Sequence, residues 1–377
     1  MPIKISHQFE AGAIEVVRAD SPSTIELNIR KDSHADFLQW FYFRLQGARD
    51  QECVMRFLNA GQATYPQGWK NYQTVASYDR QHWFRVPTTY DGSVLTVRHT
   101  PEHDSVYYAY FEPYSWERHL RLLGKLGSVP FAKTEDLGRT IDGRDLNLVV
   151  VGNPSAAIKI WVIARQHPGE TMAEWFVEGM IKALLDRSNP VARMLLQHTV
   201  FYIVPNMNPD GSVRGNLRTN ATGANLNREW MMPSMERSPE VFLVRQKIHE
   251  VGCNLFLDIH GDEGLPYVFV AGCEMLEGFS QQQAVEQQAF VEHLKLASPD
   301  FQTEHGYEAS KYRTDMLQLA SKYIGHHFKC ISLTLEMPFK DNAALPDPEV
   351  GWNGARSARL GATMLQPILH AVVKGRP

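Results

Sequence analysis

The chain has 377 residues and a formal net charge of −4, with 44% hydrophobic and 21% charged residues. This length suggests about two domains at ~100–200 residues each, and the composition is that of a globular protein. The weakly acidic balance argues against nucleic acid as a partner. No apolar run reaches the ~18 residues that a membrane span requires, and the first residues lack the apolar core of a signal peptide.

Cysteine usage gives an expectation about the compartment. The chain has four cysteines, Cys53, Cys253, Cys273 and Cys330, and none has the paired spacing of a CxxC metal site. Four are also too few for a disulfide-stabilised scaffold. We therefore expect reduced thiols and a cytoplasmic protein.

Residues 1–122 contain short segments rich in β-branched and aromatic residues, which are typical of strands. The predicted strands are Thr24–Ile29, Gln39–Leu45, Cys53–Leu58, Trp83–Val86, Ser93–Val97 and Ser105–Phe111. Asp91-Gly92, between the fourth and fifth of these, is a hairpin-turn signal. No long helical period occurs, so this region is predicted to form an N-terminal antiparallel β-sandwich domain.

After a predicted linking helix that begins near Trp116, strands alternate with helices. Four continuous apolar runs predict strands buried on both faces, namely Ile158–Ala164, Val200–Val204, Asn254–Ile259 and Ile331–Leu335. Between them, apolar residues recur at three- and four-residue intervals, as in the helix predicted from Met172 to Leu184. Residues 123–377 are therefore predicted to form an α/β domain with a mixed, mostly parallel sheet flanked by helices.

Chemically versatile side chains follow these strands. His167 and Glu170 come after the first strand, His260 after the third and Glu336 after the fourth. In open α/β sheets, ligands bind beyond the carboxyl ends of the strands. An HxxE pair alone often arises by chance, and a strand-terminal histidine is more often structural. Together, however, two histidines, one carboxylate and an open position are the arrangement of a catalytic zinc site.

The same segments resemble the funnelin family of zinc carboxypeptidases, especially its cytosolic carboxypeptidase branch and bacterial members of that branch. The matching segments are HPGET (167–171), NPDG (208–211), GNLR (215–218), NLNREW (225–230), DIHGDE (258–263) and SLTLEMPF (332–339). WFYFR (40–44) and YYAYFEPYSW (107–116) resemble the β-sandwich that precedes the catalytic domain in that branch. The resemblance therefore covers nearly the whole chain.

The resemblance implies a metallocarboxypeptidase that acts on peptide or protein C-termini, or on a side-chain-linked glutamyl bond. His167, Glu170 and His260 match the ligands of one Zn²⁺ in the catalytic domain. Glu336 matches the general base, which also returns the proton to the leaving amine.

Further substrate-binding residues follow from the resemblance. Arg218 matches the arginine that polarises the scissile carbonyl and stabilises the oxyanion. Asn227 and Arg228 match the pair that binds the terminal carboxylate of the substrate, for which a guanidinium offers a bidentate fork. Asn225 stands where many members have an aspartate that hydrogen-bonds a zinc-binding histidine, and its amide oxygen can accept the same bond.

The side-chain pocket is predicted from the segment before the last buried strand. Tyr307 and Tyr312 are both candidates for the family's mobile substrate tyrosine, and Tyr312 is assigned to the site. Lys311 and Arg313 lie where the family builds its specificity pocket, so we expect Arg313 to favour substrates that end in an acidic residue. Packing or solvent exposure is the alternative for each of these side chains.

Two other functions stay open at this point. A zinc amidohydrolase of N-acyl amino acids, of the aspartoacylase type, also uses HxxE and a histidine, although the sandwich domain and Arg218 argue against it. An inactive relative that binds peptide termini is the second alternative, and the retained Glu336 argues against it. The sequence leaves the oligomeric state open, with a homo-oligomer among the options.

Overall fold

The computed structural model describes residues 2–308 and 316–373. Its first ten strands are β1 (Lys4–Ser6), β2 (Glu15–Ser21), β3 (Thr24–Asn28), β4 (Tyr42–Gln46), β5 (Cys53–Phe57), β6 (Thr74–Ser77), β7 (Phe84–Val86), β8 (Thr88–Tyr90), β9 (Leu95–His99) and β10 (Ser105–Ala109). They form two five-stranded sheets with the orders β1-β4-β10-β6-β7 and β2-β3-β5-β9-β8. Among these strands β3 and β5 pair in parallel, and the other neighbours are antiparallel.

Aromatic side chains fill the space between the two sheets. Phe43 in β4 and Phe57 in β5 belong to different sheets, and their ring centroids lie 6.3 Å apart. Both residues are fully buried. This packing of two sheets confirms the predicted N-terminal sandwich.

The Asp91-Gly92 turn joins β9, which overlaps the predicted strand Ser93–Val97, to the unpredicted strand β8 and not to the predicted strand Trp83–Val86. Residues 88–90 form a separate strand that pairs with β9, while β7 pairs with β6 in the other sheet. Pro87 stands between β7 and β8, and it has no N–H to donate to a ladder. The proline therefore marks the point where the chain passes from one sheet to the other.

A helix links the sandwich to the rest of the chain. This helix is α1 (Trp116–Leu126), and the side chain of Ser115 caps it by accepting a hydrogen bond from the backbone N–H of Arg118. Leu122 and Leu126 on α1 are buried. The predicted domain boundary at residue 122 falls inside this helix, and a division there stays a prediction.

A seven-stranded sheet follows among the described residues, with the order β11-β12-β14-β13-β15-β17-β16. Its strands are β11 (Ala132–Arg139), β12 (Asp145–Gly152), β13 (Ile158–Ala164), β14 (Thr199–Val204), β15 (Leu255–Asp262), β16 (Phe269–Ala271) and β17 (Ile331–Pro338). The helices are α2 (Met172–Leu185), α3 (Pro190–His198), α4 (Pro209–Arg214), α5 (Pro239–Val251), α6 (Gln281–Ala297), α7 (Ala320–Phe328), α8 (Gly354–Thr363) and α9 (Leu365–Val373). The four central strands are parallel and the outer ones antiparallel, which confirms the predicted fold class.

The central strands are buried on both faces, as their continuous apolar runs predicted. On β13, Ile160 and Val162 enter a core that also contains residues of α2 and α8. Trp161 and Ile163 enter a second core with residues of α5 and α7. The apolar parts of these strands form the core, and the polar side chains of the predicted site lie toward their carboxyl ends.

Two further observations concern membrane spans and cysteines. Within residues 2–308 and 316–373, no helix combines the length and apolar character that crossing a bilayer requires. The four cysteines are free and buried.

Candidate metal centre

The turn between β13 and α2 carries the first two predicted ligands, His167 and Glu170. Arg165 begins this turn in a left-handed backbone conformation (φ 59), which is rare outside glycine. Its buried guanidinium donates to the carbonyl of Pro168 at 2.9 Å and to Glu174 Oε2 at 2.7 Å. These hydrogen bonds stabilise the turn and offset the strained backbone conformation of Arg165, which costs roughly 1–3 kcal/mol.

Three buried side chains converge at the end of the sheet. The Nδ1 atom of His167 lies 2.6 Å from Glu170 Oε1, and the Nδ1 atom of His260 lies 2.8 Å from Glu170 Oε2. The two Nδ1 atoms are 3.2 Å apart. One donor atom from each residue lies within 4.8 Å of the other two, so the described cluster could hold a metal ion.

The outer nitrogen of each histidine has its own acceptor. His167 Nε2 lies 3.0 Å from Asn225 Oδ1, and His260 Nε2 lies 2.9 Å from Asp258 Oδ1. Each acceptor keeps a proton on Nε2, which leaves the Nδ1 lone pair directed into the cluster. Burial lowers the pKa of His167 to about 3, which favours the neutral ring that binds metal. Burial acts in the same direction on His260, but the carboxylates of Asp258 and Glu170 outweigh it and raise the pKa of His260 well above its usual range, so metal binding would have to displace that proton. Two imidazoles and a carboxylate with these oriented lone pairs fit Zn²⁺.

Glu336 lies beside the cluster because β15 and β17 are neighbours. It is the residue paired with His260 in the ladder between the two strands. The Tyr307 hydroxyl lies 3.0 Å from Glu336 Oε1 and 2.7 Å from Asp262 Oδ2. Burial raises the pKa of Glu336 well above its usual range. Its Oε2 atom is buried and has no hydrogen-bond partner among the described residues.

A cavity of about 760 Å³ lies over the cluster and Glu336, a volume within the usual range for ligand pockets. The other predicted substrate residues, Arg218, Asn227 and Arg228, also line it, as do Tyr65 and Gln67 from the N-terminal sandwich. The structure therefore brings together every described residue that the sequence assigned to the active site, with Asn225 behind His167.

Aromatic rings and backbone groups orient the basic side chains of the cavity. The guanidinium carbon of Arg218 lies 5.9 Å from the ring centroid of Phe37 and 5.4 Å from that of Tyr65, which allows cation–π attraction. Arg228 Nη1 donates to the carbonyl of Asn227 at 2.7 Å. The guanidinium groups of Arg218 and Arg228 therefore belong to residues that line the same cavity as the cluster.

Several residues of this region were not assigned from the sequence, among them Asp258, Glu263 and Lys322. Asp258 precedes His260 by two residues on β15, and the period of two along a strand was a usable signal for a shared face. Glu263 and Lys322 also line the cavity, and they are 5% and 6% exposed. Burial raises the pKa of Glu263 well above its usual range, which favours the uncharged acid. Nothing in the sequence separates Lys322 from a solvent-exposed lysine.

Some predicted pocket residues lie outside the described part of the chain. These are Lys311, Tyr312 and Arg313. Of the two candidates for the substrate tyrosine, Tyr307 is described, and its hydroxyl lies in the cavity beside Glu336.

Two family profiles match the chain, one described as the cytosolic carboxypeptidase N-terminal domain at residues 5–111 and one described as zinc carboxypeptidase at residues 129–351. The chain belongs to the zinc carboxypeptidase family. It is a metallocarboxypeptidase, a hydrolase that acts on peptide bonds, in a family of zinc enzymes. The first match places this metallocarboxypeptidase in the cytosolic carboxypeptidase-like branch.

Solved structures of bacterial proteins resemble the metallocarboxypeptidase over its whole length. A metallo-carboxypeptidase from Burkholderia cenocepacia is 61% identical with a TM-score of 0.97, covering 99% of this chain and 100% of that chain. One from Pseudomonas aeruginosa, in complex with (2-guanidinoethylmercapto)succinic acid, is 45% identical with a TM-score of 0.96 and covers the same shares. Mouse cytosolic carboxypeptidase 4 is 28% identical over 328 residues, which is 72% of this chain but only 28% of the mouse protein.

Proposed function

We propose that this metallocarboxypeptidase releases single C-terminal residues, with one Zn²⁺ held by His167, Glu170 and His260 and with Glu336 as general base. The observation that carries the proposal is the position of Glu336 beside His260, where it lines the same cavity as the cluster and its Oε2 has no hydrogen-bond partner among the described residues. When bound, Zn²⁺ lowers the pKa of a water molecule to about 7 and polarises a carbonyl group.

Glu336 moves the proton in the proposed reaction. Its Oε2 accepts the proton of the attacking water and then returns it to the nitrogen of the leaving amine. The Tyr307 hydroxyl, 3.0 Å from Oε1, fixes the plane of the carboxylate. The base thereby presents one defined oxygen to the substrate.

The basic side chains bind the two charged parts of the substrate. Arg218 donates to the carbonyl oxygen that becomes negatively charged, and a preorganised donor of this kind typically contributes about 3–4 kcal/mol. Arg228 and Asn227 bind the terminal carboxylate. Only a chain end offers that carboxylate, so the pair restricts hydrolysis to the last residue.

Lys322 supports a preference for substrates that end in an acidic residue. It is nearly buried on α7 and lines the cavity, and within the described part of the chain no carboxylate forms an ion pair with it, although Glu274 acts on it electrostatically. A buried cation without a directly paired carboxylate is unfavourable, and the carboxylate of an incoming glutamate or aspartate would supply one.

The test measures zinc content and peptide turnover of the wild type and of Glu336→Gln. Substrates end in Glu, Asp, Lys, Leu or Phe, each with a free and an amidated C-terminus. We expect one zinc per chain in both proteins and release of single residues from the free peptides alone. Loss of the general base should lower kcat by about 100- to 10,000-fold.

Other outcomes would identify the alternatives. Zinc binding with hydrolysis of N-acyl amino acids but not peptides would indicate the amidohydrolase. Zinc binding with capture of peptide termini and no turnover would indicate a binding module. Equal turnover by the wild type and Glu336→Gln would refute the role of Glu336.

A further inference from the structure

Asp32 connects the N-terminal sandwich to the loop that carries Arg218. It lies between β3 and β4 and is only 6% exposed. The backbone N–H of Leu217 donates to its Oδ1 at 2.6 Å, and the N–H groups of Arg218 and Thr219 donate to its Oδ2 at 2.7 and 3.0 Å. The Thr219 hydroxyl donates to Oδ2 at 3.1 Å. Because hydrogen bonds to a charged acceptor are about twice as strong as neutral ones, this carboxylate fixes three consecutive residues.

The same loop reaches the turn that carries the metal ligands. The backbone N–H of Gly169, between His167 and Glu170, donates to the carbonyl of Leu217 at 2.8 Å. A Cβ atom at Gly169 would lie only 3.0 Å from that carbonyl oxygen, so the close approach favours glycine. Asp32 thus acts on a backbone segment that also contacts the metal-binding turn.

The segment around Asp32 holds the side chain of Arg218 as well as its backbone. The N–H of Asp32 donates to the carbonyl of Phe37 at 2.8 Å, which closes a turn. The ring of Phe37 lies on the guanidinium of Arg218, and Tyr65 of the sandwich also lies on it. Residues of the sandwich therefore hold both the backbone and the guanidinium group of Arg218.

The geometry requires a carboxylate rather than any polar side chain. Both oxygens of Asp32 face N–H or O–H donors, and an asparagine would turn an NH₂ group toward one set of them. Burial raises the pKa of Asp32, and the hydrogen bonds from Leu217, Arg218 and Thr219 act in the opposite direction by stabilising its charged form. Arg30 also interacts with it electrostatically, without an ion pair between the two among the described residues. A substitution to asparagine is nearly isosteric and disturbs these bonds specifically.

We propose that Asp32 is a positioning residue, through which the sandwich directs Arg218 at the scissile carbonyl. The inference rests on the role proposed above for Arg218 and extends it. The N-terminal sandwich then contributes to catalysis by positioning an active-site side chain.

A double-mutant cycle in the full-length, zinc-loaded enzyme tests the proposal. The proteins are the wild type, Asp32→Asn, Arg218→Ala and the double variant, each measured for kcat, KM, zinc content and Tm. We expect Asp32→Asn to lower kcat by about 10- to 100-fold, as a misplaced catalytic group does, with KM and zinc content retained. In the Arg218→Ala background the same substitution should leave kcat unchanged.

Asp79→Asn is the matched control. Asp79 also accepts backbone N–H groups in a turn of the sandwich, from Gln81 and His82, but it lies away from the cavity. This control should retain the kcat of the wild type.

Three results would overturn the inference. Losses that multiply in the double variant would show that Asp32 acts independently of Arg218. An unchanged kcat in Asp32→Asn, with a large loss in Arg218→Ala, would refute the inference and leave the proposed function intact. Full activity of Arg218→Ala would instead remove the proposed role of Arg218. If Asp32→Asn does not fold, Phe37→Leu must show the same non-additivity with Arg218→Ala, and additive losses would refute the proposal.

Discussion

At the residue scale, the burial of Lys322 makes substrate preference depend on pH. Burial lowers the pKa of its ammonium group from the usual 10.5. The group is charged below its pKa, so the attraction for an acidic side chain is present below the lowered pKa and is lost as the pH rises through it. We expect KM for a Glu-ending peptide to rise in alkaline buffer. KM for a Leu-ending peptide should not show this rise.

Two variants separate the charge of Lys322 from its packing. Lys322→Arg stays charged through the alkaline range, so the rise of KM should disappear. Lys322→Met keeps an unbranched stem without the charge, and it should lower kcat/KM for the Glu-ending peptide by about 10- to 100-fold, as expected for a lost charged hydrogen bond. The Leu-ending peptide is the control, and equal losses on both peptides would contradict the assignment.

The sequence predicted those site residues whose chemistry is visible at strand ends. His167, His260 and Glu336 each follow a continuous apolar run, so the ends of parallel strands had to bring them together. Asp32 and Lys322 were missed because their roles depend on long-range packing. Asp32 accepts its hydrogen bonds from residues about 185 positions away in the chain.

At the element scale, the first turn of α5 contains a buried carboxyl group, Glu240. Its Oε2 accepts a hydrogen bond from Asn220 Nδ2 at 3.2 Å, and its Oε1 has no partner within the described residues. Burial raises the pKa of Glu240 from 4.5 to about 7, and the nearby carboxylates of Asp210 and Asp142 add to the rise. The folded state therefore holds a proton that the unfolded chain releases near pH 4.5, and this contribution to stability is lost as the pH rises to about 7.

Glu240→Gln should remove that loss. The amide oxygen still accepts from Asn220, and the group no longer ionises. We expect the variant to be more stable than the wild type at pH 8, by on the order of 2–3 kcal/mol, with a smaller difference at pH 5. Denaturant unfolding at the two pH values measures this, and parallel pH profiles for the two proteins would contradict it.

The packing of α2 against α8 depends on two glycines. A Cβ atom at Gly361 would lie 1.9 Å from the carbonyl oxygen of Phe176, and one at Gly179 would lie 1.9 Å from that of Ala358. Gly361→Ala must push the helices apart, so we expect a loss of about 1–3 kcal/mol in the free energy of unfolding. Gly124→Ala on α1, where a Cβ meets nothing within 4 Å, should instead stabilise the protein by about 0.5–1 kcal/mol. Chemical denaturation of both variants checks the contrast, and equal effects would contradict it.

The sequence predicted buried elements better than exposed ones. The bounds of β13 match the predicted run, because a strand buried on both faces must be apolar throughout. The edge strand β11 was not predicted, since its sequence AKTEDLGR has no apolar alternation and its pairing with β12 defines it. The helix α6 was also not predicted, because its sequence QQQAVEQQAFVEHLKLA is largely polar and shows no clear helical period of apolar residues.

At the scale of the whole molecule, the sandwich supports the strand that carries Glu336. Phe339 directly follows β17, and its ring stacks on Tyr110 of the sandwich with centroids 4.6 Å apart. Arg85 of β7 donates to the carbonyls of Phe339 at 3.0 Å and Trp352 at 2.8 Å. Buried residues of the sandwich and of the seven-stranded sheet belong to one hydrophobic core.

Because neither part can unfold without exposing this shared core, we expect a single cooperative unfolding transition in calorimetry. Arg85→Met should lower the midpoint of that transition, since the substitution leaves buried carbonyl groups without their donor. Arg56→Met, at an exposed position of β5, is the control and should change stability by no more than about 0.5 kcal/mol. Two separate transitions in the wild type, or a transition that splits in Arg85→Met, would show that the sandwich and the catalytic sheet unfold independently.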